Sequence, residues 1–212
     1  MKTKIRQPFS GLSHLLGAIL AFIGLIYLLI QGWGDNTRVV SYLIYGISLM
    51  LMFTASANYH MVTASEKITL LLRKFDHTAI YLLIAGSYTP ICLLFLSGFW
   101  QASLLWIVWG MAFIGILVKL FVINAPRWVT AGTYLVMGWV SVMASGEMMR
   151  TMPSGALILL LVGGLFYTVG AVIYITKKMD FVPGVFGFHE VWHIFVLLGA
   201  ASHFFLVALY TT

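Results

Sequence analysis

The chain has 212 residues, 61% of them hydrophobic and only 8% charged, where an ordinary soluble domain carries about 25% charged residues. That composition excludes a soluble domain and points to a membrane protein. The net charge of +6 does not indicate nucleic-acid binding, because the basic residues sit in short clusters between long apolar runs and not along one stripe. The single cysteine, Cys92, rules out an internal disulfide and a thiolate metal cluster.

A spanning helix needs roughly 20 apolar residues. Runs of that length predict seven spans, at about 14–31, 40–62, 76–96, 101–121, 128–146, 156–176 and 187–209. The first follows Lys2, Lys4 and Arg6 without a convincing small-residue cleavage site, so it reads as a retained span and not as a signal peptide. The third and fourth share one charge-free stretch that is too long for a single helix. "LSGFWQAS" breaks it with glycine and small polar residues. No internal repeat, long linker or low-complexity tract interrupts the chain, so residues 1–212 read as a single all-α, seven-span transmembrane domain.

Lysine and arginine concentrate in cytoplasmic loops. Lys2, Lys4, Arg6, Lys67, Arg73, Lys74, Lys119, Arg127, Lys177 and Lys178 fall on one side, and only Arg38 and Arg150 on the other. The expected orientation is N-terminus cytoplasmic and C-terminus outside. This is opposite to that of G-protein-coupled receptors, so seven helices alone do not argue for that class.

Ionisable groups inside a bilayer are costly, and each is a candidate functional residue. In this topology His60, near the end of span two, Asp76, at the start of span three, and His189 and His193, at the start of span seven, share one depth. Residues four apart lie on one helix face, which pairs Ser56 with His60 and His189 with His193. Three histidines and an open fourth position make a common catalytic zinc arrangement. His60, His189 and His193 are therefore the candidate metal ligands. Asp76 would hold a water at the fourth position or accept its proton, and Ser56 would bond substrate or a neighbouring group. The plainer alternative for Asp76 is an interfacial pair with Arg73 or Lys74. His14 and His77 read as interfacial or hydrogen-bonded residues. His203, roughly 15 Å beyond His193 along its helix, reads as a buried hydrogen-bonding residue, with a proton path as the alternative.

"FHEVWH" at 188–193 also matches a metalloprotease helix, in which the glutamate is the general base. Glu190, however, is turned about 100° from His189 and starts a span where water is available, so it reads as a solvated interfacial carboxylate. The soluble extended motif needs its third histidine where Gly199 stands.

The full set resembles the hemolysin III family, the bacterial branch of the progestin and adiponectin receptor superfamily. The resemblance rests on "SANYH", "KFDHTAIYLLIAGSYTP", "TYLVMGWVSV" and "HEVWH" followed by "ASHFF", in that order. It covers essentially the whole chain. Bacterial relatives often carry an acidic residue before the first-span histidine, and "RQPFSGLSH" has none. The resemblance implies a receptor-like seven-helix fold in a bacterial cytoplasmic membrane, with zinc held by His60, His189 and His193 and Asp76 acting through water. Related membrane ceramidases suggest hydrolysis of a lipid amide or ester, with membrane lipids as partners, no nucleic acid, and a role in lipid homeostasis. A non-catalytic sensor or receptor with structural zinc is the alternative from another class. A haemolysin or toxin is a third, although no pore-forming amphipathic segment is evident.

Overall fold

Seven helices in the computed structural model, which describes residues 5–182 and 185–211, are long and apolar enough to cross a membrane. The basic residues Lys2 and Lys4 lie outside the described residues. The elements are α1 (Pro8–Gln31), α2 (Asn36–Met61), α3 (Glu66–Phe95), α4 (Gly98–Phe121), α5 (Arg127–Gly138), a 3-10 turn (Trp139–Ala144), α6 (Ser145–Thr151), α7 (Ser154–Thr176) and α8 (Phe188–Tyr210). The span expected at 128–146 is the α5, 3-10 and α6 succession, Arg127–Thr151.

Helix ends follow local chemistry, whereas the expected spans followed hydropathy. Pro8 opens α1, where its missing N–H costs no bond. Asp35 caps α2, its carboxylate accepting from the Thr37 and Arg38 amides at 2.9 and 3.1 Å. The third helix starts at Glu66, ten residues before the expected span. Glu, Lys, Arg and Leu are good helix formers, so the helix continues past the apolar stretch into the charged connection.

The hydrophobic stretch of α3 is 61% buried, that of α2 50% and that of α8 44%, against 22% for α4 and 28% for α1, α7 and the fifth span. The first three therefore form the interior, and the rest present apolar side chains outward. Close approach of α2 depends on small residues, as in membrane bundles generally. Gly46 lies against Leu25, and Gly86 of α3 lies against Ser48, where a Cβ would collide. Helix α8 packs on both α7 and α1, which closes the bundle. The Tyr42 hydroxyl bonds the carbonyl and hydroxyl of Thr211, at 2.9 and 2.8 Å, at the far end of the chain.

The fifth span is broken by a side chain from α3. The Tyr88 hydroxyl donates to the Gly138 carbonyl at 2.6 Å and accepts the Ser141 amide at 2.9 Å. It thereby inserts into the hydrogen-bond ladder where α5 gives way to the 3-10 turn. Irregular backbone at membrane depth is tolerated where it lines a cavity, and Gly138, Trp139, Ser141 and Ser145 all line one.

Candidate metal centre

The inner face of α2 carries buried residues at helical spacing, Leu49, Met52, Phe53, Ser56 and His60. The stripe that forms the apolar core therefore delivers a serine and a histidine to the interior at its last turns. Ser56 and His60 are 2% and 1% exposed. Helix α8 begins beside them, with His189 in its first turn and His193 one turn further in, 1% exposed.

The three imidazoles converge. The Nε2 atoms of His189 and His193 are 3.2 Å apart, and one ring nitrogen from each of His60, His189 and His193 lies within 4.8 Å of the other two. Zinc–nitrogen bonds of about 2.0–2.1 Å in a tetrahedron place ligand nitrogens roughly 3.3 Å apart. The His189–His193 separation thus already matches one edge of such a site. Gln7 orients the third ring, because its side-chain oxygen hydrogen-bonds Nδ1 of His60. That assigns the proton to Nδ1 and leaves the Nε2 lone pair inward, where it is buried and makes no hydrogen bond. The Gln7 amide donates to the His60 carbonyl at 2.9 Å. The Arg6 guanidinium bonds the Tyr59 carbonyl and stacks on the Tyr59 ring at 4.4 Å. The segment before α1 is thereby laced to the end of α2. The donor set fits a metal that prefers neutral imidazole.

Asp76 lies outside the three-nitrogen cluster. Its carboxylate interacts with the Ser56 hydroxyl, and both residues line a cavity of about 260 Å³. Its partial exposure is toward that cavity. Among the described residues the salt bridges are Arg38–Asp35 and Arg150–Glu147, so Asp76 pairs with neither Arg73 nor Lys74. The cavity follows α3 from Asp76 to Tyr88, roughly 18 Å, with mostly apolar walls. A second cavity, of about 350 Å³, lies by Arg6, Gln7, Asp180, His189 and Glu190.

Three residues, His14, Glu190 and Gln7, take roles that the sequence reading did not give them. His14, read as interfacial or hydrogen-bonded, is 3% exposed and stacks on His193 with ring centroids 3.9 Å apart. Its other face meets Phe53 edge-on at 5.1 Å. The signal for it was the stripe Ser10, Gly11, His14, Gly17, Ala21 and Gly24, small residues at helical spacing along the buried face of α1. Glu190, read as a solvated carboxylate, accepts the Gly187 amide at 2.9 Å and the Ser10 hydroxyl at 3.1 Å. It therefore completes the first turn of α8 and ties it to α1. Gln7 carried no signal in the sequence. His77 stays outside the cluster, and its carbonyl accepts from the Tyr134 hydroxyl at 2.9 Å. His203 bonds the Leu160 carbonyl through Nε2 at 3.2 Å and lines the cavity.

The family described as "Haemolysin-III related" matches residues 2–204. The "Hemolysin-3 homolog" of Bacillus subtilis (strain 168) is 36% identical over 203 residues, covering 95% of this chain and 92% of that protein. The "Hemolysin-3" of Bacillus cereus is 37% identical over 205 residues, covering 95% and 90%. The human "Monocyte to macrophage differentiation factor", a more distant relative of the progestin and adiponectin receptor type, is 30% identical over 168 residues, covering 77% and 67%. A seven-helix membrane chain matched over nearly its whole length belongs to the haemolysin-III related family.

Proposed function

We propose that the protein is a zinc-binding membrane hydrolase that cleaves a lipid amide or ester at the basic end of the bundle, facing the cytoplasm of a bacterial cell. The observation that carries this reading is the junction of two features: three imidazole nitrogens within 4.8 Å of one another, from the buried His60 and His193 and the half-buried His189, beside a carboxylate–hydroxyl pair that lines a largely apolar cavity.

His60, His189 and His193 would hold the metal, with Gln7 fixing the tautomer of His60. Bound zinc would polarise a carbonyl and lower the pKa of a coordinated water towards about 7. Asp76 accepts the proton of the attacking water and returns it to the leaving amine or alcohol. Ser56 holds the Asp76 carboxylate in place through its hydroxyl. The apolar walls between Asp76 and Tyr88 shed water and accommodate an acyl chain.

The test is turnover of a panel of lipid amides and esters by detergent-purified protein, wild type beside Asp76→Asn. Zinc retained with turnover lost in the variant supports hydrolysis. Unchanged turnover removes Asp76 from the mechanism. Zinc bound with no turnover of any lipid by wild type transfers the reading to a sensor in which the metal clamps α2 to α8.

A further inference from the structure

The cavity that runs from Asp76 to Tyr88 carries polar groups that hydrolysis at its metal end does not use. His203 of α8 and Tyr167 of α7 both line it, edge to face with ring centroids 5.6 Å apart. Each ring sits in a notch that a glycine leaves on the facing helix. Tyr167 lies against Gly199, and the Cδ2–Nε2 edge of His203 lies against Gly163, where a Cβ would collide with either ring. Phenylalanine would serve for packing at both positions. An ionisable side chain inside a span is costly and calls for a function.

Three polar atoms around this place have no partner. His203 bonds the Leu160 carbonyl through Nε2 at 3.2 Å. A carbonyl can only accept, so the proton is on Nε2 and Nδ1 is a lone pair. The Nε2 edge faces α7, which turns Nδ1 away from that helix, and Nδ1 is buried without a hydrogen bond. The Tyr167 hydroxyl makes no hydrogen bond among the described residues. The hydroxyl of Tyr45, a fully buried side chain of α2, is also without one, within electrostatic reach of Tyr167. Elsewhere on the cavity wall Tyr88, Tyr134, Ser87 and Trp139 all have acceptors. Unpartnered buried polar atoms are few in folded proteins, and each requires an explanation. An imidazole lone pair and two hydroxyls, brought together from three helices beside a cavity, point to a polar group on a ligand.

We propose that His203 and Tyr167 select a lipid whose acyl chain carries a hydroxyl in mid-chain. The hydroxyl donates to Nδ1 of His203 and accepts from Tyr167. His203 lies roughly 15 Å beyond His193 along α8. An extended chain advances about 1.2 Å per bond, so a chain with its carbonyl at the metal end brings about its twelfth carbon to the pair. A site that bonds a hydroxyl rejects the analogue lacking it, because its own polar groups are then left unpaired. The position of the carbonyl rests on the hydrolase reading. The preference for a hydroxyl is a matter of binding and requires no turnover.

The experiment titrates detergent-purified full-length protein, prepared without chelators, with 12-hydroxystearic, 3-hydroxystearic or stearic acid. The apparent Kd is read from the rise in melting temperature with ligand concentration. Wild type is expected to bind the 12-hydroxy acid about tenfold more tightly than stearic acid, with no such gain for the 3-hydroxy acid. In His203→Phe and Tyr167→Phe the ratio should fall towards one. A ratio taken within one protein is unaffected by a general loss of stability. Should His203→Phe fail to fold, Tyr167→Phe decides the matter, because it removes one oxygen and leaves the ring seated on Gly199. Equal affinity of wild type for the 12-hydroxy acid and stearic acid overturns the proposal, as does an equal gain from the 3-hydroxy acid, a preference that survives Tyr167→Phe, or no stabilisation by any of the three. The preference without turnover of any lipid keeps this site and removes hydrolysis, and turnover without the preference does the reverse.

Discussion

Gln7 holds the His60 ring through Nδ1, and residues in that position around a metal are worth about 10- to 100-fold in metal affinity. Gln7→Ala is therefore expected to retain the fold and to weaken zinc affinity by that factor, measured by competition with a chelator of known strength. Unchanged affinity would separate Gln7 from the metal. His60, His189 and His193 were legible because two one-turn pairs, Ser56 with His60 and His189 with His193, share helix faces, and alternating spans bring both pairs to one end. Gln7 was not, and for His14 the small-residue stripe of α1 marks a buried face without naming the residue it meets. Their role depends on the segment before α1 lying against α2, and on α1 lying against α8. Helical periodicity within one segment carries no information about either contact. The bonds that Glu190 makes were missed for a related reason: hydropathy locates a boundary, but the helix start that the carboxylate caps is a backbone feature.

Helices set the depth of these groups, and the fifth span shows where sequence pattern fails at this scale. Nothing within 127–151 except its glycines foretells a break, because the agent is the Tyr88 hydroxyl from α3. Tyr88→Phe removes a donor to Gly138 and the acceptor of the Ser141 amide. Leaving buried backbone groups unsatisfied costs about 1–3 kcal/mol. The expected result is a lower thermal midpoint in detergent with the zinc content unchanged, because Tyr88 lies at the far end of the cavity from Asp76. Loss of zinc in this variant would mean that the break and the histidine cluster are coupled. The early start of α3 at Glu66 has a simpler basis. Apolar runs report where lipid is, whereas helices continue wherever the residues favour them.

Across the whole molecule, seven apolar helices were readable from length and composition, since no other arrangement satisfies their backbone in lipid. Which helices lie inside was legible only in part: α1, α4 and α7 are more apolar than the interior α2, α3 and α8, but the fifth span is the least apolar and still lies largely outside, and closure by α8 against α1 is a long-range contact. The charge asymmetry predicts that the α2–α3 connection faces the cytoplasm and the α1–α2 connection the outside. Cys92 is the single cysteine and is buried. A membrane-impermeant maleimide applied to whole cells should label a Trp33→Cys variant and spare Lys67→Cys, and the reverse pattern would invert the orientation.

The most direct test of the central claim is metal content per chain in detergent-purified protein, wild type beside His60→Ala and His193→Ala, purified without chelators and checked for intact helical content. The account predicts about one zinc per wild-type chain and almost none in either variant, with both variants less stable because the metal joins α2 to α8. Full occupancy in either variant, or no metal in well-folded wild type, would contradict it and leave the three histidines as a polar packing cluster.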